Sequence, residues 1–319
     1  MGKYIITDRR CGLGDALLNL AATYLLAQEY GRDVIIDWRR LSYTLCEPDS
    51  WRRHHLNVFR SVFQRPTPLN GVNFLFPEEV GELFLGYKTQ EGYPFDLDNL
   101  PDLMTTDADI LLRSSETYIR SPLRIGEYTV PESFGPWFKR LEPLNTPALR
   151  FRDFLSHLKP IPLITSRINC FVEKFLKEPT VAIHYRHGNG EDIMGRGSNW
   201  IGHRRAVKEI EEEARDLLGS AWKDYAFLLC SDAPEGEVLL KRAFPRHCVL
   251  PKDLPPQEEG SIHFAEGLNP IQSIQDSFID MALMARCSHL LFTDQSTFSL
   301  WAQQTIPLEC QRPLFQLGV

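Results

Sequence analysis

The sequence has no apolar run of the roughly 18 residues that a membrane-crossing helix needs. Its opening stretch, MGKYIITDRRCGLGD, lacks the apolar core of a signal peptide, and no Ser or Thr stands at the sixth position, where a myristoylation signal carries one. The seven cysteines, Cys11, Cys46, Cys170, Cys230, Cys248, Cys287 and Cys310, form no CxxC pair and no metal-type spacing, and their number is odd. They read as reduced thiols. There is no basic excess: 35 Lys and Arg against 42 Asp and Glu give a formal net charge of −7, with a sequence pI near 5.8. That balance argues against a nucleic acid or an anionic membrane as the main partner and leaves room for a local basic site that holds a small anion. No internal repeat or low-complexity tract interrupts the chain. The expectation is a soluble, cytoplasmic protein.

What is present is an ordinary globular composition, 43% hydrophobic, 24% charged and 11% aromatic, over 319 residues. Single cores stop growing at about 250–300 residues, so two domains are expected. The segment KEPT offers a junction between an N-terminal lobe, 1–175, and a C-terminal lobe, 176–319. The N-terminal lobe opens as strand 4–7, a glycine-containing turn, a helix from Asp15 ending at Gly31, and strand 34–37, a βαβ unit that implies parallel pairing. Between about 47 and 148 the pattern is weak, with one strand expected at 109–113. Helices follow at 149–158 and 164–177. The second half then alternates: strand 180–185, helix 204–218, strand 225–231, helix 235–243, strand 247–250, helix 273–286, strand 289–293, helix 296–304. The fold class is α/β, with a doubly wound, nucleotide-binding parallel sheet in the C-terminal lobe, whose ligand belongs outside the carboxyl ends of the strands.

Three of those strand ends carry chemistry. VAIHYRHGNGEDIMG places His184, Arg186, His187, Asn189, Glu191 and Asp192 at the end of the first strand. A permanently charged guanidinium is suited to forked hydrogen bonding of phosphate, and an HGNG loop lets backbone N–H groups approach the same anion. A solvated loop closed by a salt bridge is the plainer alternative. YAFLLCSD ends in Ser231 and Asp232. HLLFTDQSTF runs through Ser296 and Thr297 into a helix, where both fit simple N-caps and also anion contacts. In the N-terminal lobe, RRCGLGD sets Arg10, Gly14 and Asp15 between strand and helix, although Leu17 stands where a third dinucleotide-motif glycine would fall and no GK[ST] follows. No metal is expected. The DxD pairs Asp96/Asp98 and Asp107/Asp109 are common in a chain this acidic, and adjacent His54 and His55 face different ways.

The stretches HYRHGNGEDIMG, RRCGLGDALLNLAA, GRDVIIDWR, LLCSDA and FIDMALMARCSHLLFTDQSTF together resemble the rhizobial nodulation fucosyltransferase (NodZ) family and its α1,6-fucosyltransferase relatives, with the motifs in the same order. The resemblance implies a GT-B-like fold of two Rossmann-like lobes. It also implies inverting, metal-independent transfer of L-fucose from GDP-fucose, with no cofactor, to an N-acetylglucosamine hydroxyl, O6 by the family default, of a glycan or chitooligosaccharide. Carried over by motif position, Arg186 would neutralise the β-phosphate, His184 and Asp280 would contact guanine, and Ser296 would bind phosphate. Asn189 and Asp232 would line the nucleotide-sugar site; His187, Thr297, Gly14 and Arg10 complete the binding set. Inversion needs a base on the acceptor hydroxyl, for which Glu191 ranks first, with Asp192 and Asp15 as alternatives. A transferase of another GDP-sugar, or a catalytically silent sugar-nucleotide or glycan-binding protein, would keep much of the same pattern. Residues 47–175 show little of the resemblance, and there the acceptor would be chosen.

Overall fold

In a computed structural model of the chain, the described residues are 4–7, 11–39, 41, 57–80, 88–90, 109–112, 154–186, 207–255, 268–293, 296–303 and 305–314. They fall into two compact units, the first drawn from Met1–Leu41 and His54–Pro160, the second running from Ile161 to Val319.

The first unit is built on a five-stranded sheet: β1 (Tyr4–Thr7), β2 (Asp33–Ile36), β3 (Phe74–Leu75), β4 (Lys88–Gln90) and β5 (Ile110–Leu112), in the order β3-β2-β1-β5-β4. Every pairing is parallel. Helix α1 (Leu13–Tyr30) joins β1 to β2 and is buried along almost its whole length. That burial follows from LLNLAATYLLA, which is apolar or small on every side of the helix. The helix begins two residues earlier than expected, so Gly14 lies inside it, and it stops at Gly31, whose left-handed φ of 62° lets its N–H return to the carbonyl of Ala27. Aromatic rings fill the unit: Tyr24 stacks on Phe74 and Phe154, and Trp38 packs edge-on against Phe59 and Phe63.

The second unit begins with α2 (Pro162–Phe175) and contains β6 (Thr180–Tyr185), α3 (Val207–Leu218), β7 (Ala226–Ser231), α4 (Pro234–Ala243), β8 (His247–Cys248), α5 (Pro270–Met284), β9 (His289–Thr293) and β10 (Gln311–Leu314). Its sheet order is β10-β9-β6-β7-β8, again wholly parallel. From β6 the chain builds outward to β7 and β8, then returns to add β9 on the other side. The topological switch therefore lies between β6 and β9, where open α/β sheets hold ligands. Helix α5 starts cleanly because the Asn269 side chain accepts from the N–H groups of Ile271 and Gln272, with Pro270 in the first turn. The helix expected over 296–304 is instead a 3₁₀ turn, Thr297–Ser299, followed by a single α turn, Leu300–Gln303. No helix among the described residues is long and apolar enough to cross a membrane.

Candidate functional site

Alternation along β6 decides which side chains face which side. Val181, Ile183 and Tyr185 join a core cluster with Ile210 and Ala214 of α3 and Leu240 of α4. The two-residue period sends His184 to the opposite face, beside Cys230, its register partner on β7. His184 is buried, and Phe298 lies tilted against its ring with centroids 5.1 Å apart. Burial pushes the imidazole down to about 3, opposed by the Asp232 carboxylate and reinforced by the charges of Arg186 and Lys252. The ring is therefore neutral at physiological pH, and its Nδ1 makes no hydrogen bond among the described residues.

Arg186 is the first residue past β6. Its backbone N–H donates to the Thr293 hydroxyl (3.0 Å), which in turn donates to the His184 carbonyl (3.2 Å). This latch ties the end of β9 to the end of β6 across the switch point. The Arg186 guanidinium reaches the end of β7, with Nη1 3.1 Å from Asp232 Oδ2, and the two side chains are only 17% and 10% exposed. A guanidinium offers five donors in a fixed plane, the geometry suited to forked hydrogen bonding of an anion.

A second ion pair lies deeper. The Asp280 carboxylate of α5 accepts from Lys252, four residues past β8, with the side chains 1% and 6% exposed. Burial raises the Asp280 carboxyl against the pull of Lys252. Burial lowers the Lys252 ammonium, but Asp280 and the Cys230 thiol outweigh it and hold it above its ordinary value. Oδ2 of Asp280 is taken by Lys252, whereas Oδ1 has no hydrogen-bond partner among the described residues. The Cys230 thiol beside this pair is raised well above its ordinary value by burial, so it is a packed thiol and no nucleophile.

Of the residues expected to form a site, the second unit brings together His184, Arg186 and Asp232 at the ends of β6 and β7, while Asp280 is held by Lys252 beside Cys230. Ser296 and Thr297 follow β9, where the Ser296 hydroxyl accepts from the N–H of Phe298 (3.4 Å), a cap-like contact. Gly14 and Asp15 lie in the first turn of α1 in the other unit. Arg10, His187, Asn189, Glu191 and Asp192 lie outside the described residues. Lys252 and Phe298 were not anticipated as site residues, and Thr293, at the third strand end, had been given no role. Lys252 follows a fourth strand end, β8, and the strand-end rule applied there as well would have found it. No group of three or more metal-ligating side chains occurs among the described residues.

Two open, wholly parallel α/β sheets, with buried charge gathered at the switch point of the second, define a GT-B-type α/β protein. A family model described as Nodulation protein Z (NodZ) matches residues 1–86 and 149–312. The chain belongs to the NodZ family. The Nodulation protein Z of Bradyrhizobium diazoefficiens is 29% identical over an alignment of 318 residues, covering 96% of this chain and 80% of the relative. That of Azorhizobium caulinodans is 25% identical over 312 residues, covering 94% and 88%. A crystal structure of the NodZ α1,6-fucosyltransferase co-crystallised with GDP matches with a TM-score of 0.60 at 20% identity, covering 96% of this chain and 93% of that one. One soaked with GDP-fucose gives 0.59 at 20% identity, covering 96% and 94%. These two likenesses establish the shared fold.

Proposed function

We propose that this chain is a glycosyltransferase that moves L-fucose from GDP-fucose to a glycan, inverting the anomeric centre, without a metal ion, in the cytoplasm. The acceptor group we propose is an N-acetylglucosamine hydroxyl, with O6 and a chitooligosaccharide as the family default. The observation that carries this reading is Arg186, placed at the topological switch with its backbone fixed by Thr293 and its guanidinium oriented by Asp232. Loss of GDP places growing negative charge on the β-phosphate. Without a metal, that charge needs a fixed cation already aimed at it, which a pre-oriented guanidinium supplies without reorganisation at the moment of reaction.

The remaining roles follow from chemistry. The neutral, buried His184 and the Asp280 carboxylate supply hydrogen-bonding groups for guanine, and Ser296 supplies a hydroxyl for phosphate. Inversion requires a base opposite the leaving group. We assign it to Glu191, with Asp15 as the alternative, and a comparison of Glu191→Gln with Asp15→Asn in a transfer assay decides between them. A thermal-shift panel of GDP-fucose, GDP-mannose, UDP-sugars and NAD, with and without EDTA, tests the donor. GDP-fucose should raise the melting temperature most, and EDTA should not change that shift. Preferential stabilisation by a UDP-sugar would overturn the assignment.

A further inference from the structure

A lysine and an aspartate buried together are an unusual use of the interior. Desolvation roughly cancels the attraction in such a pair, so its presence is weak evidence for a stabilising role. The pair formed by Lys252 and Asp280 is also incompletely used. Oδ2 of the carboxylate is pinned by the ammonium, while Oδ1, equally buried, accepts nothing among the described residues. Nδ1 of His184 is a second buried polar atom with no partner among the described residues, and His184 feels the charge of Lys252. Native interiors rarely leave such atoms unmatched, and each one left so costs about 1–3 kcal/mol. Both belong to the face of the second sheet that carries the switch-point cluster.

We infer that Lys252 is a positioning residue of the base subsite: it pins one carboxylate oxygen of Asp280 and leaves the other as an acceptor for a ring N–H of the nucleotide base. The inference rests on the GDP-fucose reading above and adds to it a residue that reads the base through another. Guanine is the purine that suits it, because N1 of guanine carries a hydrogen and N1 of adenine does not. Lys252 also keeps the acceptor charged. The groups facing Asp280 are Lys252, Asp276 and Cys230, and of these only Lys252 is cationic. Those facing Lys252 are Asp280, Cys230 and Glu237. Without Lys252, the burial that already raises the Asp280 carboxyl would be opposed only by the weaker pull of the Cys230 thiol, and the acceptor would be protonated at higher pH.

The test is titration calorimetry of GDP and ADP against the wild-type chain, Lys252→Met and Lys252→Arg, repeated from pH 5 to pH 8. Lys252→Met should weaken GDP by about 10- to 100-fold, the range for a lost hydrogen bond to a charged group. ADP binding should barely change, so the preference for GDP should collapse. The acid side of the GDP profile should also move to higher pH in Lys252→Met, and Lys252→Arg should restore part of both properties. A folded Lys252→Met that keeps the wild-type preference and pH profile overturns the inference. If Lys252→Met does not fold, the double variant Lys252→Met/Asp280→Asn removes both buried charges. It should fold and lose the preference for GDP, and retention of that preference overturns the inference equally. A wild-type chain that binds GDP no better than ADP would instead overturn the donor assignment, which separates the two failures.

Discussion

The two sheets use the same device to join the ends of paired strands and surround it differently; in the second sheet that pair is the switch point. In the first unit, Thr7 at the end of β1 accepts the N–H of Asp37, the first residue past β2 (2.9 Å). In the second, Thr293 at the end of β9 accepts the N–H of Arg186, the first residue past β6 (3.0 Å). Parallel strands that end together leave one N–H to satisfy, and a buried threonine on the neighbour satisfies it in both cases. Beyond the latch they diverge. Asp37 closes on its own neighbour: Arg39 donates from Nε (2.7 Å) and Nη2 (2.5 Å), and Asn57 ties down the adjoining backbone at Ile36 and Trp38. Arg186 instead reaches another strand end, and in the same unit His184 Nδ1 and Asp280 Oδ1 have no hydrogen-bond partner among the described residues. A strand end whose polar groups satisfy one another is scaffold. One that gathers more polar capacity than folding consumes is where a ligand is read.

The largest test of that contrast is Arg186→Ala. Removing a preorganised charge from the site should lower fucosyl transfer by about 10³-fold, with the protein still folded but its melting temperature lowered, because the largely buried Asp232 loses this cation. Lys in its place should not restore activity, since it lacks the planar fork. Near-normal transfer by Arg186→Ala would remove that residue from the site.

A second test uses acid. The folded His184 imidazole sits at about 3 against an ordinary 6.5, so below pH 6.5 the unfolded chain takes up a proton that the folded one refuses. Stability should fall by roughly 1.4 kcal/mol per pH unit between about 6.5 and 3 from this group, and be fully present above 6.5. Urea unfolding across that window should show a shallower acid slope in His184→Gln. An unchanged slope would mean that the ring is solvated.

The smallest effect sharpens the comparison most. Thr293→Val and Thr7→Val each remove one buried hydroxyl and should each cost about 1–2 kcal/mol of stability. Only Thr293→Val, by loosening the backbone of Arg186, should also weaken GDP binding, measured by calorimetry. Equal effects of the two on GDP would dissolve the distinction between the units.

Much of this was legible in the sequence for a physical reason. Buried parallel strands are short apolar runs, so VAIHY, AFLLCS and HLLFT stand out, and the polar residues that follow each run mark the ligand edge. That gave His184, Arg186 and Asp232. Lys252 escaped because the strand expected over 247–250 runs into PKDLPP, where the prolines read as a loop. The part played by Thr293 escaped because a threonine inside a strand looks like a β-branched filler; only the register across β9 and β6 exposes it. The last strand, QRPL, was invisible because it contains proline, which sheets tolerate at an edge, the place β10 occupies. The start of α1 was misjudged at Gly12 and Gly14, which resemble turn residues, although neither takes a positive φ.

The central claim is metal-free transfer of fucose from GDP-fucose, and one assay addresses it directly. The purified chain is incubated with GDP-fucose and a panel of N-acetylglucosamine-containing glycans in EDTA, and the products are read by mass spectrometry. A product heavier by one deoxyhexose, formed at the same rate with and without EDTA, is the predicted result. No transfer from GDP-fucose while another nucleotide sugar supports it, or transfer abolished by EDTA, would contradict the account.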